Sequence, residues 1–417
     1  MTHGTVRQLA ARFGLPGAYL GTTFANGATM IAVMVTVAGN AGTGWAVSAV
    51  LFCQAVPQIA LATLAAPLVD RIDPRKIVLI SSAAQALIVL GAATHPAVSV
   101  LVSMVLLKSI ASALDAPALL LLAERVKQKD SDSEARSFAR MDTARLIGSL
   151  LGPLTGGLIV QSLGVAWVLV MDAGVLLVLA TLTMLTPSRR PAAEATPQSW
   201  WTRVKAAPQL LLTQATPRVA ILGLVASIVF TSFYSVAEVL YGLKTLNLPP
   251  LGYAVLGQCF IVGRIAGSRL GAHVTGQRAQ PWLFMSTLSM GVGLLLPGIV
   301  VSPYVAGFGF AVAGFSNAVQ VASIRIIVVG SVPENVKGRA LSTMGSVNQS
   351  AGLIGTTAAA PVLGAVGPAM TLLVAGGGTL VTALLAAVAR MRLSKNDAAP
   401  TEERPDDASA VPADTDA

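Results

Sequence analysis

The chain alternates long apolar runs with short polar connections. A first group of apolar runs lies at roughly 18–38, 45–67, 77–94, 97–121, 140–161 and 165–186. A second group lies at roughly 219–243, 251–272, 282–301, 304–329, 340–363 and 367–390. Each run is close to the roughly 20 residues that an α-helix needs to cross about 30 Å of hydrocarbon. The pattern therefore predicts twelve membrane-spanning helices.

The apolar runs are continuous and do not alternate. Segments 168–171 and 176–179 contain apolar residues only, whereas the strands of a membrane β-barrel alternate apolar and polar positions. Hydrophobic residues make up 54% of the chain and charged residues 11%, against about a quarter charged in a soluble globular protein. Together these features predict an all-α membrane protein.

Basic residues indicate how the helices are oriented. If the N-terminus is cytoplasmic, the cytoplasmic connections contain clusters such as Arg71, Arg75 and Lys76, and the outer connections contain Lys244 alone. Lysine and arginine concentrate on the cytoplasmic side of membrane proteins. We therefore expect a multi-pass protein of the bacterial inner membrane with both termini in the cytoplasm. Because the basic residues are dispersed and aromatic residues are few, the net charge of +9 does not indicate nucleic-acid binding.

An internal repeat divides the chain into two halves. A shift of about 203 residues places Arg136, Met141 and Gly152 on Arg339, Met344 and Gly355. Parallel six-helix repeats of this kind occur in transport proteins. The predicted organisation is a first six-helix half at 1–186, a cytoplasmic linker at 187–217, a second half at 218–392 and a disordered cytoplasmic tail at 393–417.

The connection between the second and third runs carries a recognisable motif. Its residues Leu68, Asp70, Arg71 and Arg75 resemble the signature of the major facilitator superfamily between helices two and three, although Ala66, Asp73 and Pro74 depart from it. The resemblance implies the twelve-helix fold of that family and a gating role for Asp70, Arg71 and Arg75. The alternative is that these charges serve only to orient the helices.

The fifth run contains Gly148, Gly152, Pro153, Gly156 and Gly157. This pattern is similar to the antiporter motif of the drug–proton exporters of the superfamily. Glycines at four-residue spacing form a bare stripe on which another helix can pack closely, and the proline permits a bend. The alternative interpretation is ordinary packing of small residues.

Ionisable side chains inside the runs are further candidates, because burying one in a membrane costs roughly 2.5–3.5 kcal/mol on insertion scales. Lys108 takes the place of an arginine in an exporter motif of the fourth helix, where Ala111 and Ser112 replace the usual glutamine and glycine. The resemblance implies that helices one, four, seven and ten line a central cavity. Candidate cavity or coupling residues on these helices are Asn26, Lys108, Asp115, Tyr234, Glu238, Asn317, Gln320 and Arg325.

Spacing suggests how some of these residues act. Lys108 and Asp115 are seven residues apart and share a helical face, so we expect them to form a structural or coupling pair. Glu238 is the favoured carrier of a coupling proton. Asn26 and Gln320 are equally compatible with hydrogen bonds between helices. The contacts of Asp172, another acid inside a run, do not follow from the sequence.

These features favour a secondary transporter that exports a small amphipathic compound, such as a drug, an antibiotic or a secondary metabolite, in exchange for protons. Import of a nutrient by a symporter or uniporter is the alternative, and a membrane-embedded transferase is a third possibility that lacks a catalytic cluster. We expect a monomer in the lipid bilayer whose partners are its substrate and protons. The sequence contains no phosphate-binding loop and no metal-ligand spacing, so we expect no cofactor, no metal and a proton gradient as the energy source.

Overall fold

The computed structural model describes residues 15–40, 44–71, 73–127, 134–185, 215–332 and 337–397. The helices of the first half are α1 (Leu15–Asn40), α2 (Gly44–Arg71), α3 (Pro74–Thr94), α4 (Val98–Lys127), α5 (Glu134–Leu163) and α6 (Val165–Leu185). Those of the second half are α7 (Ala215–Leu240), α8 (Pro250–Gly271), α9 (Ala279–Ile299), α10 (Pro303–Gly330) and a final run, Lys337–Asp397. The final run breaks at Gly367, and we name its two parts α11 and α12.

Local sequence explains where several helices begin and end. The Asp73 carboxylate accepts a hydrogen bond of 3.1 Å from the backbone N–H of Arg75, and Pro74 is the first residue of α3, which is a favourable start for a helix. Gly164 follows α5 with φ 91°, and Gly367 follows α11 with φ 80°. This left-handed conformation carries little penalty for glycine, so both glycines allow the chain to turn directly into the next helix.

Helix length and composition agree with a membrane location. Within the described residues, nine helices are long and apolar enough to cross a bilayer, and Val98–Ala113 of α4 is a shorter apolar stretch. The last of the nine, Thr343–Ala389, has 47 residues and contains the break at Gly367. That length exceeds twice what a single crossing requires, so α11 and α12 are suited to two crossings. The crossing of the membrane by all twelve helices stays a prediction.

The two halves repeat the same close contacts. In the first half, Gly152 of α5 packs against the Phe24 carbonyl of α1, and in the second half Gly355 of α11 packs against the Val229 carbonyl of α7. The turn glycines Gly164 and Gly367 are separated by the same interval of about 203 residues that the sequence repeat shows. The fold is therefore built from two similar bundles, α1–α6 and α7–α12.

The halves meet along two pairs of helices, α2 with α11 and α5 with α8. The Ser48 hydroxyl of α2 donates to the Thr356 carbonyl of α11 at 3.2 Å. The backbone N–H of Leu251 in α8 donates to the Gln161 side chain of α5 at 3.4 Å. These contacts lie at the helix ends that the basic residues assign to the outer side of the membrane.

Farther along the same helices, polar side chains are exposed. On α2, Gln58 lies ten residues after Ser48, and on α11, Gln349 lies seven residues before Thr356, and both glutamines are exposed. An apolar core that includes Val33 and Val37 of the first half and Tyr253 of the second is buried near the outer ends. Among the described residues, these hydrogen bonds between the halves and this shared core therefore lie on the predicted outer side.

Several predicted segments fall on residues that the structure does not describe. These are the start of the chain, most of the linker, and residues 398–417 of the tail. The side chains of Asp70 and Arg71 also lie outside the described set. The predicted domain boundaries and the predicted disorder of the tail therefore stay predictions.

Candidate functional site

A buried ion pair lies inside the first half. The Lys108 ammonium of α4 donates to Oδ2 of Asp172 in α6, and the Thr29 hydroxyl of α1 donates to the same oxygen at 2.7 Å. Lys108 is 7% exposed and Asp172 is 1% exposed. One carboxylate thus connects α1, α4 and α6. Because water is excluded from this place, the contacts strongly constrain how the three helices lie relative to one another.

This pairing differs from the one expected from the sequence. Lys108 and Asp115 share a face of α4, but seven residues of helix separate their Cα atoms by about 10 Å. Asp115 instead accepts a hydrogen bond from the Gln85 amide of α3, and Gln85 also donates to the Ser81 hydroxyl at 3.1 Å. Because α6 brings Asp172 beside Lys108, the ion pair connects two helices and does not run along one.

A second group of polar and aromatic side chains surrounds Glu238 on α7. Glu238 is half-buried, and Tyr234, one turn earlier, is a hydrogen-bond neighbour of its carboxylate. From α8, Tyr253 and Cys259 lie near the same carboxylate. A Cβ atom on Gly257, also of α8, would lie 2.9 Å from Oε1 of Glu238. The carboxylate is therefore held at the contact between α7 and α8, near the end of α7 that is predicted to face the outer side of the membrane.

Aromatic rings extend this group toward α10. The Tyr234 ring stacks on Phe260 of α8, with centroids 5.5 Å apart and planes inclined by 22°. It meets Phe310 of α10 edge to face at 4.7 Å. Phe310 is fully buried and Phe260 is half-buried. Such ring pairs fix the orientation of Tyr234, which in turn fixes the position of its hydroxyl beside Glu238.

The remaining cavity candidates occupy three different environments. The Gln320 amide of α10 donates to the Thr287 hydroxyl of α9 at 3.0 Å, and Gln320 is buried, so its hydrogen bond connects two helices. Asn317 is half-buried and lies on the α10 face of Phe310, seven residues away. Asn26 and Arg325 are exposed. Of these four residues, Gln320 alone is buried, and Asn317, Asn26 and Arg325 keep part of their surface uncovered by the protein.

The glycine motif of α5 lies against α1. A Cβ atom on Gly148 would lie 2.7 Å from the Leu20 carbonyl oxygen, and one on Gly156 would lie 2.5 Å from the Ala28 Cα atom. Gly157 faces the other half, where a Cβ atom would lie 2.9 Å from the Ala254 Cβ atom of α8. The glycine motif therefore allows α5 to pack closely against α1 on one side and against α8 on the other.

Arg75 acts at the end of another helix. Its guanidinium donates to the Thr183 carbonyl at 3.2 Å and to the Met184 carbonyl, both in the last turn of α6. A cation at this position satisfies carbonyl groups that a helix end leaves unpaired. Arg75 thus connects the start of α3 to the end of α6, a structural role in addition to the gating role that its motif implies.

Comparisons with known proteins identify the family. The profile of the Major Facilitator Superfamily matches residues 17–356. The chain belongs to the major facilitator superfamily. A comparison with curated proteins finds no match.

Solved structures of superfamily transporters share this fold. The nucleoside transporter NupG superposes with a TM-score of 0.77 at 13% identity, over 91% of this chain and 99% of NupG. A POT family transporter in complex with a thioalcohol-conjugated peptide gives a TM-score of 0.68 at 12% identity, over 91% and 96% of the two chains. A bacterial homologue of the lysosomal transporter Spinster, inward-facing and unoccupied, gives 0.61 at 12% identity, over 93% and 97%. At such identities the likeness establishes the fold, so the major facilitator architecture predicted from the motifs is confirmed.

Membership in the superfamily establishes the general function of the protein. The protein is a multi-pass membrane transporter of a small molecule, as the sequence predicted. Of the residues described above, Thr29, Asp172, Gln85 and Gly257 were absent from the sequence-based candidates. Asp172 had one visible signal, since an acid inside an apolar run requires a partner, but its partner lies 64 residues earlier in the chain.

Proposed function

We propose that the protein exports a small amphipathic compound in exchange for protons. The buried ion pair between Lys108 and Asp172 is the observation that carries this proposal. At the repeat interval of about 203 residues, Lys108 corresponds to Ala311 and Asp172 corresponds to Ala375. The second half thus builds a similar bundle with alanine at both positions. Because the fold does not require charges there, we assign the pair of the first half to transport.

We propose Glu238 as the residue that carries the coupling proton. Three acids lie inside spans among the described side chains, and Asp172 is engaged by Lys108 while Asp115 accepts a hydrogen bond from Gln85. Within the described part of the chain, Glu238 pairs with no cationic side chain. Its protonation therefore leaves no buried positive charge without a counter-ion, unlike protonation of Asp172. Half-burial at the contact of α7 and α8 also leaves part of its surface accessible.

The direction of transport is proposed from the glycine motif of α5. Gly148, Gly152 and Gly156 pack against α1, and Gly157 packs against α8. A single helix thus contacts both its own half and the opposite one. The motif is similar to that of drug–proton exporters, and close packing of this kind favours a rigid bundle that moves as a unit during alternating access.

Transport in reconstituted vesicles tests this proposal. An imposed pH gradient should drive uptake of an amphipathic substrate into vesicles in which the protein is inverted, and a protonophore should abolish it. Glu238→Gln should abolish the gradient-driven component, whereas Asp115→Asn, which keeps an oxygen for Gln85, should retain most of it. If Glu238→Gln keeps full exchange, Glu238 does not carry the proton, and if Asp115→Asn keeps it as well, neither acid does. In cells, lower accumulation of substrate after deletion of the gene would identify import and contradict export.

A further inference from the structure

We propose that the first half binds an alkali-metal cation between α3 and α4, with the Asp115 carboxylate as its counter-charge. The site lies on other helices than Glu238, and the inference does not depend on the proposed exchange of substrate for protons. It follows from an unused oxygen of Asp115, from the oxygen atoms around this acid, and from the equivalent helix contact in the second half.

Asp115 is a buried acid with only one of its two oxygens in use. The residue is 8% exposed. Oδ2 accepts a hydrogen bond from the Gln85 amide, but Oδ1 is buried and has no hydrogen-bond partner among the described residues. The described cationic side chains form no ion pair with Asp115, and Lys108, which shares its helix face, is bonded to Asp172. A carboxylate in such a place requires a counter-charge or a proton.

The groups beside Asp115 supply further oxygen atoms. The Ser81 hydroxyl of α3 donates to the Ala111 carbonyl of α4 at 2.9 Å and accepts from the Gln85 amide at 3.1 Å. Because the same amide donates to Asp115, the carboxylate, the hydroxyl and the carbonyl lie around one side chain. Rotation of the Gln85 amide group would present its oxygen in place of its nitrogen. Carboxylate, hydroxyl, amide and carbonyl oxygens are the ligands that hard cations prefer.

The charge of this cluster favours a monovalent ion. One carboxylate balances one positive charge, whereas a divalent ion would leave a net positive charge in a place from which water is excluded. The sequence predicted no metal because residues along the chain lack the spacing of a metal site. That spacing does not reveal an oxygen site shared by two helices, since its ligands come together only when α3 packs on α4.

The second half makes the equivalent helix contact without a charge. In the two-bundle repeat, α9 and α10 correspond to α3 and α4, and the Gln320 amide of α10 donates to the Thr287 hydroxyl of α9 at 3.0 Å. Both side chains are neutral and buried. A neutral hydrogen bond is therefore sufficient to connect this pair of helices. Because packing alone does not require an acid at position 115, we assign the unused oxygen of Asp115 to binding.

Thermal unfolding of the purified full-length protein in detergent tests the inference. The protein is compared in the chlorides of lithium, sodium, potassium and choline at equal ionic strength, with EDTA present to remove divalent ions. Choline has the same charge but is too large for a cluster whose side chains are almost fully buried. We expect Na⁺ to raise the unfolding temperature above that in choline, increasingly with concentration, as a ligand of the native state does. Equilibrium dialysis with radioactive Na⁺ should detect the bound ion directly.

Two variants connect the binding to the cluster, and a third is a matched control. Asp115→Asn keeps an oxygen for Gln85 but removes the charge, and it should weaken Na⁺ binding at least roughly tenfold. Ser81→Ala removes one neutral oxygen and should weaken binding to a smaller extent. Thr287→Val removes the hydroxyl from the equivalent contact of the second half. It should lower the unfolding temperature in every salt and leave the additional stabilisation by Na⁺ unchanged.

The inference is overturned if none of the three alkali cations stabilises the protein more than choline does, or if Asp115→Asn keeps the full effect of Na⁺. Each variant is compared with itself across the salts, so a general loss of stability does not hide the result. If Asp115→Asn does not fold, dialysis of the unmodified protein decides whether the ion binds, and Ser81→Ala decides where. Stabilisation by acid alone, without any effect of the alkali cations, would show that a proton neutralises Asp115 and would also overturn the inference.

Discussion

Lys108 of α4 forms an ion pair with Asp172 of α6, while the corresponding positions in the second half of the repeat are Ala311 and Ala375. The two halves thus allow a comparison, within one protein, between a charged pair and a pair of alanines at similar places in the fold. Ala375 is fully buried, as Asp172 nearly is. The second half thus shows that a bundle of this kind can form without charges at these two positions.

Removal of one partner of this pair should be more damaging to stability than removal of both. Asp172→Ala or Lys108→Ala leaves a buried charge uncompensated, and we expect each to destabilise the protein by about 3–5 kcal/mol. The double variant removes both charges and should unfold at a higher temperature than either single variant. Thermal unfolding of the purified proteins in detergent measures this order.

Transport by the double variant then decides the role of the pair. We expect it to insert at normal levels but to lose gradient-driven exchange. Normal exchange by the double variant, at equal expression, would show that the pair is structural and would remove the main support for the proposed function.

Gly152 of α5 should tolerate no side chain. A Cβ atom there would overlap the Phe24 carbonyl group of α1, and backbone atoms cannot move aside without separating the helices. Gly152→Ala should therefore lower the unfolding temperature, and Gly152→Leu should abolish transport. At an unobstructed site such as Gly91, the same change to alanine should be neutral or stabilising by up to about 1 kcal/mol, because alanine favours helix. Equal behaviour of Gly152→Ala and Gly91→Ala would contradict the close packing of α1 on α5.

The charges between α2 and α3 should differ in their effects. Arg75 binds two carbonyl groups of α6, so Arg75→Ala should reduce stability, by about 1.5–3 kcal/mol for hydrogen bonds from a charged group. Asp70→Asn and Arg71→Ala, which test the gating prediction, should slow transport and leave insertion intact. Parallel measurements of unfolding temperature and transport rate distinguish the two effects. Unchanged transport in both gating variants would leave only an orienting role for Asp70 and Arg71.

The predicted topology places both termini in the cytoplasm. Trp45, Trp167 and Tyr304 are 59%, 59% and 87% exposed near the first residues of α2, α6 and α10. All three lie at predicted outer ends, where aromatic residues gather at the membrane interface. A fluorescent protein fused after Asp397 should therefore fluoresce, and alkaline phosphatase at the same position should be inactive. Active phosphatase at this position would show that the protein has the opposite orientation in the membrane.

The sequence by itself determined the pattern of apolar runs, the internal repeat and the resemblance to the family. Helix-length apolar runs, the connections in which basic residues lie, and the motifs around Asp70 and Gly152 are properties of consecutive residues, so they can be read without knowing how the helices pack. The repeat interval was visible for the same reason, and the structure shows it again in Gly164 and Gly367.

Only the tertiary structure decided which side chains meet. Spacing along α4 places Lys108 and Asp115 on one face, but it does not specify which helices lie against that face. The structure shows that α6 supplies Asp172 to Lys108, α3 supplies Gln85 to Asp115, and α8 supplies Gly257 to Glu238. Each of these contacts depends on the rotation and approach of a second helix. That geometry arises from the packing of whole helix faces, and the spacing of residues within a single helix carries no information about it.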